Sequence, residues 1–302
     1  LFFDGIGSAV LALQAATDQG AQLVFGYLAG GPPPYDAANP QNSFVLAFRI
    51  LPLILVLSAI VRILYYWGIL QRFVAAVAAI LTRTTGAGGP LGTAAAASIF
   101  LGTVEAPLLV RPYLKTMGRG ALFATMVAVM STVAGTVMAL YAGLLSSSVP
   151  GAAGHLVAAS IMNVPGALML ARLSVPEGFA GGPKTAVIEM DDPPRSTMDA
   201  LAQGVIDGIQ LVATVAAMLI AVVALVALVN IMLGQLPSPF AEPVTLQLLL
   251  GYAFAPLAFL IGIPVSEAAT AGSLLGQKLV LNEFLAYLDM VQLMAADPAA
   301  LS

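Results

Sequence analysis

The run Leu211–Leu233, LVATVAAMLIAVVALVALVNIML, contains no charged residue and constrains the fold more than any other stretch. A helix needs about 20 apolar residues to cross a bilayer core at ~1.5 Å per residue, so this run reads as a membrane span. The rest of the chain is of the same kind: 60% of its 302 residues are hydrophobic, 9% are charged and the mean hydropathy is +0.97. A soluble domain carries about 25% charged residues, so too little polarity is left here to solvate a whole surface. Continuous apolar runs rather than period-2 alternation select helices over a barrel. The expectation is an all-α integral membrane protein. A net charge of −4, from 11 basic and 15 acidic residues, argues against nucleic acid as a partner. The absence of cysteine excludes disulfides and thiolate metal sites, and the single His155 argues against a histidine metal centre.

Along the chain, Asp4–Gly30 mixes apolar residues with Gln14 and Thr17-Asp18-Gln19 and reads as an amphipathic interfacial helix. A breaker cluster, GGPPPYDAANPQNS, separates it from Phe44–Leu70, a spanning segment that carries Arg49, Pro52 and Arg62. Tyr65-Tyr66-Trp67 at its end resembles an aromatic belt. After the amphipathic piece Arg72–Thr85, the apolar segment Leu91–Val110 is interrupted at Gly102 and Pro107. Two half-length helices meeting at an irregular tip, a re-entrant hairpin around 91–115, are expected there. Gly120–Leu145, interrupted at Ser131–Gly135, and His155–Leu173, with Asn163 and Pro165 inside, read as two further spans.

Residues 1–175 thus form a first half, the hydrophilic stretch 176–198 a connector, and 199–302 a second half. The second half holds a long scaffold helix and a second re-entrant hairpin around 264–290. The chain opens on Leu1-Phe2-Phe3 without methionine and closes on MAADPAALS, a pattern expected of an incomplete polypeptide.

Each half places one conspicuous acid in a short, glycine-punctuated apolar segment: Glu105 in the first and Glu283 in the second. Paired interrupted segments in corresponding halves are a pointer to a transporter binding site, because helix breaks free backbone groups for a ligand. Intramembrane acids are costly and mark function by default. The plainer readings pair Glu105 with Arg111 and Glu283 with Lys278. Glu267 and His155 read as interfacial, and Arg49 and Arg62 as structural. Ser98 and Thr132 are each ordinary helix-to-helix hydrogen-bonding residues, and only their closeness to a hairpin suggests an ion site.

Three blocks in order, GTVEAPLLVRPYL, STVAGTVMALYAG and LGYAFAPLAFLIGIPVSEAATAGSLLGQKLVLNEFLAY, resemble the concentrative nucleoside transporters. The resemblance runs from about Gly20 to Tyr287. It implies a trimeric secondary transporter with a scaffold part, a moving transport part and two re-entrant hairpins, driven by a sodium or proton gradient. On that resemblance Thr103, Val104 and Glu105 face the nucleobase, Val137 packs on the base, and Glu283 accepts from ribose hydroxyls. Sodium falls to Ser98, Leu101, Thr132 and Val133, with Leu101 and Val133 contributing backbone carbonyls.

The chain departs from the family pattern where Thr103-Val104 replaces Gln-Thr and where Ser98 replaces an asparagine. The first change removes an amide and a hydroxyl from the base edge. The second shortens a sodium ligand and opens proton coupling through Glu105. The resemblance also implies final helices after the second hairpin, one with an asparagine–serine cluster that completes ribose binding, and the stretch after Tyr287 is expected to lack them.

The resulting reading is a nucleoside:cation symporter working by alternating access in a membrane, multi-pass, of the bacterial inner-membrane kind. It has no catalytic residues, and its only cofactor is the coupling ion, Na+ or H+. The rival readings are a transport-inactive, receptor-like fragment of the same fold and a transporter of a different polar solute. An intramembrane enzyme is weaker, because no nucleophile or metal site accompanies the two acids. Base preference, coupling ion and sidedness stay open, the basic residues being too evenly spread along the sequence for a positive-inside assignment.

Overall fold

The computed structural model describes residues 2–35, 44–102, 105–146, 148–176, 193–235, 243–297 and 300–301. Every regular element among them is a helix, and the chain divides into two compact units. The first comprises 1–143 and 151–212, the second 144–150 and 213–302, so the division cuts two helices, one near 143 and a long one near 212.

In the first unit α1 is Phe2–Phe25 and ends in a 3-10 turn at Gly26–Ala29. The short α2, Leu46–Arg49, leads into α3, Pro52–Tyr66, where Pro52 sits in the first turn and costs no hydrogen bond. Together Leu46–Tyr66 are long and apolar enough to cross a membrane. Helix α4, Ile69–Thr85, stops at Gly86, whose φ of +73° is the left-handed conformation that closes helices. Helix α5, Gly89–Ala97, is buried at every position. Its close fit has a specific cause: a Cβ at Gly92 would overlap the Ala87 carbonyl. Helix α6, Glu105–Leu108, and a 3-10 turn at Arg111–Thr116 lead to α7, Arg119–Met130.

The run Gly120–Leu145 is interrupted in space as well as in sequence. Helix α7 ends at Met130 and α8, Gly135–Leu145, starts after a break at 131–134. Helix α9, Ala152–Ser174, is of spanning length and packs Val164, Ala167, Leu168 and Ala171 into one core with Ala121, Ala124 and Ala128 of α7. Small residues on α7 let the two backbones approach, which is how helices associate where lipid removes the hydrophobic drive.

Helix α10, Thr197–Leu233, is 37 residues long and runs out of the first unit into the second. Its first turns pack on α3 through glycines. A Cβ at Gly204 would lie 2.6 Å from Ala59 Cα, and one at Gly208 2.9 Å from Leu55 Cα. Arg62 of α3 meets Asp207 at 3.3 Å, and the Trp67 indole N–H donates to Thr197 Oγ1 at 3.3 Å. Arg62 is therefore structural, as its position suggests, and Trp67 has a helix partner.

In the second unit α11, Leu246–Leu260, and α12, Val265–Val280, turn by 117° across a break at 261–264. Gly262, at φ +104°, supplies the turn. A glycine seam holds the pair close: Cβ atoms would come within 2.8 Å of the Ala269 carbonyl at Gly251 and 2.7 Å of Leu250 Cβ at Gly276. After Leu281-Asn282 the chain enters α13, Glu283–Ala296.

Candidate functional site

Two non-helical segments of the first unit face each other. One follows α5, where the chain turns while its first amides still bond back into the helix: Ser98 N–H donates to Ala94 O at 2.9 Å and Leu101 N–H to Ala97 O at 2.8 Å. The other is the 131–134 break between α7 and α8. Thr132 Oγ1 donates to the Ser98 carbonyl at 2.8 Å, and Gly135 N–H donates to the Phe100 carbonyl at 3.0 Å. Asn163 of α9 closes the arrangement from behind, its amide donating to the Ser131 carbonyl at 2.9 Å. Each bond answers a carbonyl that a helix break would leave bare, and bare buried carbonyls are costly.

Ser98 and Thr132, expected in the ion site, are 1% and 7% exposed and are brought together directly. Ser98 Oγ donates to Ala95 O at 2.9 Å, so its hydroxyl hydrogen is committed and its lone pairs remain acceptors. Leu101 is buried in the same break as Ser98, and Val133 is half-buried in the same break as Thr132. All four therefore lie in the two facing breaks. Their donors are neutral hydroxyl and carbonyl oxygens, the chemistry that suits a hard monovalent cation rather than a transition metal.

Val137 is half-buried in the first turn of α8, one turn beyond the break. Thr103 and Val104 lie outside the described residues. Glu105 is placed by its backbone only, opening α6, with Ala106 N–H donating to Gly102 O at 3.1 Å. In the second unit Glu283 is half-buried in the first turn of α13. Asn282 precedes it in extended conformation and caps the helix, its Oδ1 accepting from Leu285 N–H at 2.9 Å. Phe284, 5% exposed, anchors the turn beside it. Among the described residues no ion pair joins Glu283 to Lys278, which is exposed.

The residues that build the first site but are not singled out by sequence are Phe100, Gly135 and Asn163. Gly135 admits no side chain, because a Cβ there would lie 2.7 Å from the Phe100 carbonyl. Phe100 is braced by an edge-on contact with Phe73 of α4, ring centroids 4.9 Å apart. The available signals are an amide inside an apolar helix and a glycine closing a polar break. A separate cavity of about 390 Å³ in the second unit, lined by Thr245, Gln247, Gly251, Thr270 and Ser273 among others, contains none of the expected site residues.

Residues 47–148 match a family model described as nucleoside recognition, and residues 155–301 match one described as Na+ dependent nucleoside transporter C-terminus. The nucleoside permease NupC of Helicobacter pylori is 33% identical over 296 residues, covering 97% of this chain and 68% of that protein. An uncharacterized transporter of Haemophilus influenzae is 38% identical over 284 residues, covering 93% of this chain and 65% of its own length. The chain thus spans about two thirds, or slightly less, of the curated relatives it matches; for YutK of Bacillus subtilis the share is 60%. Among solved structures, CNTnw in an inward-facing substrate-bound state superposes with a TM-score of 0.84 at 37% identity, over 96% of this chain and 67% of that one. A CNTnw variant in an outward-facing state gives 0.83 at 36% identity, over the same shares.

Proposed function

Because the chain belongs to the concentrative nucleoside transporter family, we propose that it serves in nucleoside import by cation symport through alternating access. The observation that carries this reading is the pair of facing helix breaks, cross-linked by Thr132 Oγ1 on the Ser98 carbonyl. Such breaks free backbone oxygens at membrane depth, where a coupling ion can replace its hydration shell. In this reading sodium is held by Ser98, Thr132 and the carbonyls of Leu101 and Val133. The base sits against Thr103, Val104, Glu105 and Val137, and Glu283 accepts from the ribose hydroxyls. A carboxylate suits that last role because it takes two hydroxyl donors at once. The α5–α6 and α12–α13 segments act as the two re-entrant hairpins, the assembly is a homotrimer, and its home is a bacterial inner membrane. Relatives of this chain have been solved in inward-facing and outward-facing states, which supports alternating access.

Uptake of labelled uridine into proteoliposomes, under an imposed sodium gradient or an imposed pH gradient, tests the proposal. Accumulation that follows sodium is expected. Accumulation that follows only the pH gradient moves coupling to protons and to Glu105, and none under either gradient defeats the transport reading. Glu283→Ala is expected to raise the half-saturating concentration and to weaken discrimination between ribo- and deoxyribonucleosides. Unchanged uptake in that variant removes Glu283 from the ribose.

A further inference from the structure

From Ala106 to Pro176 the chain contains no acidic residue, and its basic residues there are Arg111, Lys115, Arg119 and Arg172. Three of these cluster where the 3-10 turn meets α7, and the fourth is in the last turn of α9. Asn163 meets Ser131, so α9 comes back alongside α7 from the level of the break onward. The excursion is therefore cationic at the end where it leaves and returns. At its far turn the one titratable side chain between residues 146 and 156 is His155.

Helix α7 extends the pattern. Arg119, Leu122, Phe123, Met126 and Met130 recur at spacings of three and four, one face of a helix. All are exposed, Met126 at 56% and Met130 at 77%, while Ala121, Ala124 and Ala128 on the other face are buried. Lys115 is exposed one turn before Arg119. Within residues 106–176 the surface is a run of cations continuing into an apolar stripe, with no acid contributed by that stretch.

We propose that this surface docks an anionic phospholipid, its head group on Lys115 and Arg119 and its acyl chains along Leu122, Phe123 and Met126. Charge complementarity selects this occupant: a neutral lipid would leave the cations unmatched, and a basic or acid-free protein segment would add like charge or nothing. Cationic segments are retained on the cytoplasmic side, where the leaflet carries anionic lipids. Each cation near the surface contributes on the order of 1 kcal/mol toward such a lipid, so the pair confers a preference of about 10- to 30-fold. The inference is independent of which solute is carried or which ion drives it.

The test is retention of phosphatidylglycerol against phosphatidylcholine by the purified protein, read by native mass spectrometry. The wild type is expected to keep phosphatidylglycerol preferentially, and Lys115→Ala/Arg119→Ala to lose the preference while melting at the same temperature in phosphatidylcholine micelles. Equal preference in both proteins overturns the proposal. If that variant does not fold, Lys115→Arg/Arg119→Lys is expected to keep the preference, and its loss there overturns it too. The absence of cysteine gives a second readout: a spin label at Met126→Cys in phosphatidylglycerol bilayers is expected to be reached by oxygen and not by a water-soluble nickel chelate. A label immobilised by protein, at all concentrations or only at high ones, assigns the stripe to another segment or a second copy and overturns the proposal. Displacement of the lipid by glycerol phosphate at equal concentration reduces the site to a simple anion site and does the same.

Discussion

The two helix breaks that carry the expected ligands are held in different ways. The first, between α5 and the α7–α8 junction, is fixed from outside: Thr132, Gly135 and Asn163 reach across up to 35 residues of sequence to answer carbonyls at 98, 100 and 131. The second, at Leu281-Asn282, is fixed from within, by a helix cap three residues long and the neighbouring buried Phe284. A site assembled from distant elements fails as a unit when one contact is lost. A site built on a local cap degrades by degrees. In the proposed function the oxygens for an ion lie in the first kind of structure, and the carboxylate for a sugar in the second.

The largest effect is expected from Gly135→Ala. Its Cβ would press on the Phe100 carbonyl at 2.7 Å, and overpacking of this kind costs about 1–3 kcal/mol. Uptake is expected to fall at least tenfold with a lowered Tm; wild-type uptake would show that the two breaks are not locked together. Thr132→Val comes next. It removes the donor to a buried carbonyl, a loss of about 1–3 kcal/mol, and one oxygen of the proposed ion site. Half-saturating sodium is expected to rise roughly tenfold with a smaller change for nucleoside. A change confined to nucleoside would put the ion elsewhere.

Asn282→Ala sharpens the contrast from the other side. Losing an N-cap costs about 1 kcal/mol and frays only the first turn of α13. Nucleoside half-saturation is expected to rise several-fold with sodium dependence intact, and a parallel loss of both would make the second break as global as the first. The smallest effect is a reference outside both breaks. Asp18 on α1 has its carboxyl raised above the usual range by burial, against the opposing pull of Arg49. Its contribution to stability is full below the ordinary carboxylate range and is lost as pH rises through the raised value. Asp18→Asn is expected to raise Tm slightly at pH 8 and not at pH 4, with uptake unchanged; a gain that is the same at both pH values would contradict the sign.

Much of this was legible before any coordinates. The charge-free run at 211–233 announces its helix, and Ser131–Gly135 announces a break, because small and polar residues interrupt an apolar segment for a local reason. The cap that Asn282 places on α13 is likewise local, made within three residues. What stayed hidden depends on partners far along the chain. Nothing around Gly135 says that Phe100 will lie against it, and Asn163 looks like any polar residue in a span until Ser131 is placed beside it. The same holds for Arg62 and Asp207, 145 positions apart and paired at 3.3 Å. Arg111, Lys115 and Arg119 are neighbours in sequence, and Arg172 returns toward their end only because α9 turns back along α7.

The 37 residues of α10 have a consequence for the bilayer itself. At ~1.5 Å per residue the helix reaches about 55 Å, against a hydrocarbon core of about 30 Å. Tilts of up to about 40° cannot hide the excess, so one end of the helix must stand in the head-group layer or beyond it. A thicker or thinner membrane can then be met by a change in how much of that end is covered, with the glycine-seated contact to α3 left undisturbed. Hydrophobic mismatch, which bends or sorts most spans, falls here on a helix longer than the core it crosses.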